Sequence, residues 1–389
     1  MESCDVLIVG GGPAGSTCAS RLVQAGLDVL LLDKQTFPRP KPCAGWITPA
    51  VLEALAIDIE EYRRGRVLQE ITGFRTSVIR GAEVVTRYGR AVSYGVRRCE
   101  FDHYLVRRSA VRLKEGEAVT VLERDNGWWI VNGRIRARLL VGAGGHYCPV
   151  ARLLGARIGR EPVVVAQAAE FVMSPGQERL CRTSADTPAL FFCHDMKGYG
   201  WLFRKEGFLN VGLGRMDTSH LGHHVRDFCT FLEQSGELAP GTTPILQGHA
   251  YRLYQRRGGR ACVDDGVLLI GDAAGLAQPQ SGEGILPAVE SALLASEIIL
   301  EAKGDYRRTR LAPYGARLAG RLDGGLEIPS LPIFSGLVRY LGTRLLSSTW
   351  FSRHIVLERW FLHGDQKALH PQRPVGTATQ PGVAPLVNQ

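Results

Sequence analysis

No stretch of this 389-residue sequence reaches the roughly 18 uninterrupted apolar residues that a membrane-spanning helix requires, so a soluble or at most peripheral protein is expected. Its nine cysteines are an odd number and none falls in a C-x-x-C arrangement. Neither a disulfide framework nor a zinc knuckle is suggested, and a reducing compartment fits best. The first residues run into an apolar stretch and then glycines, without a basic region or a small-residue cleavage site, so a cytoplasmic protein without an export signal is expected. His146, His194, His249 and the pair His223 and His224 lack metal-ligand spacing, so no metal is expected and these are read as surface or satisfied histidines. No G-x-S-x-G elbow occurs, and no repeat of fixed period emerges. Lys and Arg number 47 against 38 Asp and Glu, a net charge of +9, which favours phosphates, carboxylates or anionic head groups. The excess is scattered in short pairs such as Arg63 and Arg64, with no basic block interleaved with aromatics, so nucleic acid is not an expected partner.

What is present is an ordinary globular composition, 45% hydrophobic and 22% charged, in a chain long enough for two intimately joined domains. Residues 4–9 form an apolar run that predicts a buried strand, 13–25 a helix stopped at Gly26, and 28–32 a second strand. Such a unit is expected to be parallel and right-handed. Thr48 before Pro49 predicts a capped helix start, with Val51, Leu52 and Leu55 as its apolar stripe. Residues 139–141 and 267–270 read as further strands of the same sheet, while the alternating segments of 163–254 suggest an inserted antiparallel sheet. From about residue 367, Pro, Gly, Thr and Gln replace the apolar periodicity, which predicts a disordered tail over 367–389.

Gly10, Gly11, Gly12, Pro13, Ala14 and Gly15 satisfy G-x-G-x-x-G between the predicted strand and helix, and Asp33 closes the next strand. Gly10 permits the tight turn, Gly12 removes a side chain where a pyrophosphate must approach, and Gly15 lets helix and strand pack closely. The helix N-terminus supplies amides for phosphates, and Asp33 is placed to accept from a ribose. A second constellation runs from Leu268 through Gly271, Asp272 and Ala273 to Gly282, Glu283, Gly284 and Ile285. A plain NAD dehydrogenase has no need of it. A strand end there would set Asp272 beside the polyhydroxyl chain of a flavin, with Gly284 opening a helix whose positive end faces the ring.

Together with Arg98, Phe101 and Asp102, these motifs resemble the FAD-dependent oxidoreductases with the p-hydroxybenzoate hydroxylase-like fold, over residues 4 to about 305. The expected fold is α/β, with a Rossmann-like FAD-binding domain (1–70, 96–160 and 255–310), an inserted, mostly antiparallel β-sheet substrate domain (71–95 and 161–254) and a C-terminal helical segment (311–366). The resemblance implies FAD contacts at Gly10, Gly12, Pro13, Ala14, Gly15, Asp33, Lys34, Ala44, Arg98, Gly271, Asp272, Gly282, Gly284 and Ile285. The turn Val141-Gly142-Ala143-Gly144-Gly145 is similar to that family's G-A-D-G turn, with Gly144 where Asp is usual. Two stretches resemble the geranylgeranyl reductase branch. Lys41-Pro42-Cys43-Ala44-Gly45 is similar to its K-P-C-G-G loop beside the isoalloxazine, and residues 198–203 to its P-G-Y-G-W-x-F-P strand, with Lys197 and Arg204 replacing the flanking prolines.

Alternation along that strand puts Tyr199, Trp201 and Phe203 on one face, which reads either as a substrate wall or as core. With 208–213 it predicts a hairpin. Cys43 follows Arg39 and Lys41, whose charges would favour a thiolate and make it the candidate catalytic residue; the same cations would suit a substrate phosphate. Residues 330–362 mix aromatics with arginines, as a helical lid or a segment lying on an anionic membrane surface would. The resemblance implies reduction of carbon-carbon double bonds of an isoprenoid or other apolar, lipid-like substrate, with NAD(P)H reducing the flavin. The alternatives are a flavin monooxygenase that hydroxylates an aromatic substrate and a flavin-carrying lipid-binding or electron-transfer protein.

Overall fold

The computed structural model describes residues 1–242, 244–323, 342–364 and 366–370. The N-terminal apolar run forms the strand Glu2–Val9, followed by the helix Pro13–Gln24 and the strand Val29–Asp33. Pro13 suits the first helical turn, where its missing N–H would have had no partner. Gly26, at φ +86°, supplies the left-handed residue just past the helix end. Strand Glu2–Val9 is central: it pairs in parallel with Val29–Asp33 on one side and with Ile135–Gly142 on the other. Val267–Leu269 pairs in parallel beyond the latter, and Arg112–Glu115 lies at the far edge of this eight-stranded sheet. The strands expected at 139–141 and 267–270 therefore do join the first one. Helices Pro13–Gln24 and Ile285–Glu301 pack against each other on this domain's core, so Val6, Leu7, Ile8 and Leu31 are wholly buried. This is why these strands read as unbroken apolar runs.

A seven-stranded sheet follows the order Gln247–Tyr251, Val164–Val172, Phe208–Arg215, Gly198–Lys205, Ala189–Phe192, Gly73–Val78, Val84–Arg87. Every neighbouring pair is antiparallel except Ala189–Phe192 beside Gly73–Val78. The predicted hairpin is present, with Lys205 opposite Phe208 and Glu206 in the left-handed region. Helix Leu221–Gln234 covers one face through Val225, Phe228 and Leu232. A small sheet of Trp46–Ile47, Ser93–Val96 and Leu68–Ile71 bridges the two larger ones.

The helix Pro49–Ala54 begins where expected, but Thr48 does not cap it with its side chain. The Thr48 hydroxyl is buried without a partner, and the residue lines the central cavity instead. Toward the C-terminus, helices Arg308–Leu311 and Pro313–Leu322 pack on the first domain. The helix Thr349–Phe351 runs into a π-helical stretch, Ser352–Phe361, whose Val356, Leu357 and Phe361 pack on the second sheet. Of the segment 330–362, residues 330–341 lie outside the described residues, as do 371–389 of the predicted tail. No helix among the described residues is long and apolar enough to cross a membrane.

Candidate functional site

A cavity of about 630 Å³ opens at the carboxyl ends of the central parallel strands and is walled on its other side by the second sheet. Three glycines shape its floor in different ways. Gly10 sits at φ +111°, and a Cβ there would lie 2.5 Å from the Ala143 carbonyl oxygen. A Cβ on Gly15 would lie 1.8 Å from the Gly10 carbonyl oxygen, so strand and helix are in direct backbone contact. At Gly12 a Cβ would meet only the Arg39 guanidinium, at 3.7 Å. Gly12 also occupies the N-cap of Pro13–Gln24 without a side-chain cap, leaving the first amides open to the cavity. Asp33 accepts from the Gly11 amide at 2.8 Å and the Gln35 amide at 2.9 Å, and pairs with Arg39 at 3.6 Å.

The second glycine bend touches the first. A Cβ on Gly271, at φ +59°, would lie 3.0 Å from Ala14 Cβ. Asp272 follows in the lining, 3.4 Å from His249 Nε2, and Lys41 Nζ lies 3.1 Å from both ring nitrogens of His249. Burial raises the Asp272 pKa, but the His249 hydrogen bond and the Lys41 and Arg98 charges outweigh it and hold the carboxyl below its ordinary value. Burial pushes Lys41 down to about 8 and His249 below its usual value, so His249 is neutral at neutral pH. Gly284 caps the 17-residue helix Ile285–Glu301 with no side-chain bond, and Gly284, Ile285 and Ala288 line the cavity. A Cβ at Gly282 would lie 2.5 Å from the Tyr251 hydroxyl.

Arg98 and Asp102 form a buried bidentate pair at 2.8 and 3.0 Å, which Arg39 joins at 3.4 Å. The Arg98 guanidinium also lies within electrostatic reach of the Cys43 thiol, and the Gly45 amide donates to Cys43 Sγ at 3.3 Å. Beyond Cys43 the lining turns aromatic: Trp46, Tyr199, Trp201, Tyr251 and Phe361. Phe361 stacks on Trp46 with centroids 5.2 Å apart and meets Tyr199 edge-on at 5.3 Å. Tyr199 donates its hydroxyl to the Ser281 carbonyl oxygen, joining the second sheet to the loop before Gly282.

Comparison with known proteins agrees with this geometry. Residues 3–73 match the FAD binding domain family. A menaquinone reductase of Mycobacterium tuberculosis is 29% identical over 323 residues, 77% of each chain. A digeranylgeranylglycerophospholipid reductase of Methanothermobacter thermautotrophicus is 28% identical, covering 81% of this chain and 82% of its own. Among solved structures, a geranylgeranyl bacteriochlorophyll reductase-like protein of Thermoplasma acidophilum superposes with a TM-score of 0.72 at 22% identity, over 89% of this chain and 88% of that one.

The chain is an FAD-dependent oxidoreductase, similar over most of its length to the reductases just named.

Its donor set fits the cofactor: a glycine turn open at Gly12, two helix N-termini without side-chain caps, and a carboxylate at each strand end. In this oxidoreductase Gly10, Gly12, Pro13, Ala14, Asp33, Lys34, Cys43, Ala44, Arg98, Asp272, Gly282, Gly284 and Ile285 all line the one cavity. Gly15 and Gly271 stand behind it, as packing positions. Tyr199 and Trp201 line it too, whereas Phe203 does not; it is 1% exposed and packs beneath the lining, 5.5 Å from Trp46. The cations beside Cys43 also differ from expectation. Arg39 is engaged by two carboxylates and Lys41 by His249, so Arg98, 55 positions along the chain, is the cation that reaches the thiol. Gly144 lines the cavity where an Asp is usual, and any Cβ there would press on Cys148 Sγ at 3.2 Å.

Sequence reading took His249 for a surface or satisfied histidine and missed Tyr251, Trp46 and Phe361. His249 and Tyr251 alternate on one edge strand, Gln247–Tyr251, a period-two signal that pointed one face inward. No local pattern pointed to Trp46 or Phe361, because their partners are distant in sequence.

Proposed function

We propose that this flavoprotein reduces carbon-carbon double bonds of an isoprenoid or other lipid-like substrate, with NAD(P)H as electron donor. The observation that carries this reading is the aromatic chamber of Trp46, Tyr199, Trp201 and Phe361, which continues directly from the Cys43 loop and the glycine bends. The names of the reductase relatives support it.

In this reading, the Gly12 turn and the uncapped helix start hold the pyrophosphate, Asp33 takes the ribose, Asp272 takes the polyhydroxyl chain, and Lys34, Ala44 and Arg98 complete the pocket. The helix start at Gly284 would offer its uncapped amides to the flavin. FAD, when bound, supplies the hydride chemistry. The aromatic rings exclude water and align an extended apolar chain, which a polar lining would not favour. Cys43, beside Arg98, is placed to hold or release a proton at Sγ. Trp350, 63% exposed, is the part of 330–362 that meets a lipid surface; vesicle flotation of Trp350→Ala against the unaltered protein tests that contact.

The deciding experiment reduces the purified yellow protein with NADH or NADPH without oxygen and supplies a polyprenyl lipid. A product heavier by two hydrogens supports the reading. A product carrying one oxygen atom after exposure to air, or lipid recovered unchanged, overturns it.

A further inference from the structure

Behind the cavity wall lies a hydrogen-bonded cluster to which neither glycine motif contributes. Asn210, on the strand Phe208–Arg215, is 3% exposed. Its Nδ2 donates to the Cys43 carbonyl oxygen at 2.9 Å and to Glu170 Oε2 at 3.2 Å, while its Oδ1 accepts from Trp201 Nε1 at 2.9 Å. The partners dictate which way the amide faces, since the indole only donates and the carbonyl only accepts. Glu170 is held in turn by Lys205 Nζ at 2.7 Å and Arg97 Nε at 3.1 Å. Lys205, 1% exposed, also donates to the Val96 carbonyl oxygen at 2.8 Å, and the Val96 amide donates to the Gly45 carbonyl oxygen at 2.7 Å. Gly45 has no room for a side chain: a Cβ would lie 2.1 Å from Val96 O and 2.5 Å from Lys205 Nζ.

One amide side chain thus bridges the loop that carries Cys43 and the ring that walls the aromatic chamber. We propose that Asn210 is a positioning residue that fixes Cys43 relative to Trp201, so that displacement of the Trp201 ring by a ligand is transmitted to the Cys43 loop. The inference rests on the reading above only in taking Cys43 and Trp201 as parts of one working site. Glu170 and Lys205 hold Asn210 in its orientation, since a buried amide with its partners removed would be free to turn. An aspartate at position 210 would still accept from Trp201, but it cannot donate to Cys43 and it faces the Glu170 carboxylate.

The test is Asn210→Asp in the full chain, flavin-loaded and flavin-stripped, with the rate of Cys43 alkylation by iodoacetamide followed by peptide mass mapping. Cys43 is expected to react faster by about fivefold, the factor one lost neutral hydrogen bond amounts to, with the other cysteines unchanged. The flavin absorption band of the loaded variant is expected to shift as well. Asn210→Ser, which adds no charge and has no amide to bridge Cys43 and Trp201, replaces it if the aspartate variant does not fold. Arg75→Met, which breaks the distant pair between Arg75 of the same sheet and Glu237 beyond the helix Leu221–Gln234, is the control for simple destabilisation. Cys43 reactivity within twofold of the unaltered protein in a folded variant overturns the proposal, as does equal acceleration in Arg75→Met. The alkylation readout on stripped protein stands apart from the reaction: failure to reduce any lipid would overturn the function proposed above and leave this result untouched.

Discussion

Gly12 and Gly15 lie three residues apart in one motif, yet a single added methyl group should do opposite things at the two positions. At Gly15 the methyl carbon would lie 1.8 Å from a backbone oxygen and 3.2 Å from Ala143 Cβ, so helix and strand must separate. Overpacking of this kind costs about 3 kcal/mol, and the better helix propensity of alanine returns about 1 kcal/mol, leaving a net loss of about 2 kcal/mol. For a protein of this size that lowers the melting temperature by roughly 2 to 3 °C. At Gly12 the backbone is extended at φ −74° and the nearest neighbour is the end of the flexible Arg39 side chain at 3.7 Å, so alanine fits. Stability should fall by less than about 1 kcal/mol there, reflecting only a poorer N-cap. In the proposed reading, however, the methyl group stands where a pyrophosphate would approach the amides, and FAD affinity should fall by about tenfold to a hundredfold. Thermal unfolding of flavin-stripped protein and FAD titration by fluorescence quenching separate the two effects. The reasoning is refuted if Gly12→Ala binds FAD as tightly as the unaltered protein, or if Gly15→Ala melts at an unchanged temperature.

Asp272→Ala should weaken FAD binding while leaving Lys41 without its nearby carboxylate; a visible spectrum as intense as that of the unaltered protein after dialysis would count against the assigned role. Lys41, lowered by burial from 10.5 to about 8, keeps fewer protons folded than unfolded between those values, so its contribution makes the fold more stable as pH rises from about 8 to 10.5, by up to about 3 kcal/mol. In the same window the cavity loses a cation, and FAD affinity should decline above about pH 8, a decline that Lys41→Met abolishes in binding titrations. Phe361→Ala should cost about 3 kcal/mol of local packing, since the ring is 3% exposed among Trp46, Phe192 and Tyr199. Limited proteolysis should then cleave within 342–364 sooner; unchanged cleavage would show that the ring does not anchor this segment.

The parallel unit, both glycine bends and their carboxylates were legible in the sequence because each is a local device. A tight turn needs glycine within a few residues of a strand end, and a buried parallel strand needs an unbroken apolar run, so spacing alone carries the information. The aromatic face of residues 198–203 was half legible. Alternation correctly grouped Tyr199, Trp201 and Phe203, but which of them met open space and which met Trp46 depended on a short strand more than 150 positions away. The same limit hid His249, whose neighbour Lys41 lies 208 positions earlier in the chain, and it misassigned the cations at Cys43. Charge proximity in sequence suggested Arg39 and Lys41, while folding gave each a nearer partner and delivered Arg98 instead. Local backbone demands are written residue by residue, whereas the partner of a long side chain is chosen among everything that packing brings within reach, and only the tertiary structure makes that choice.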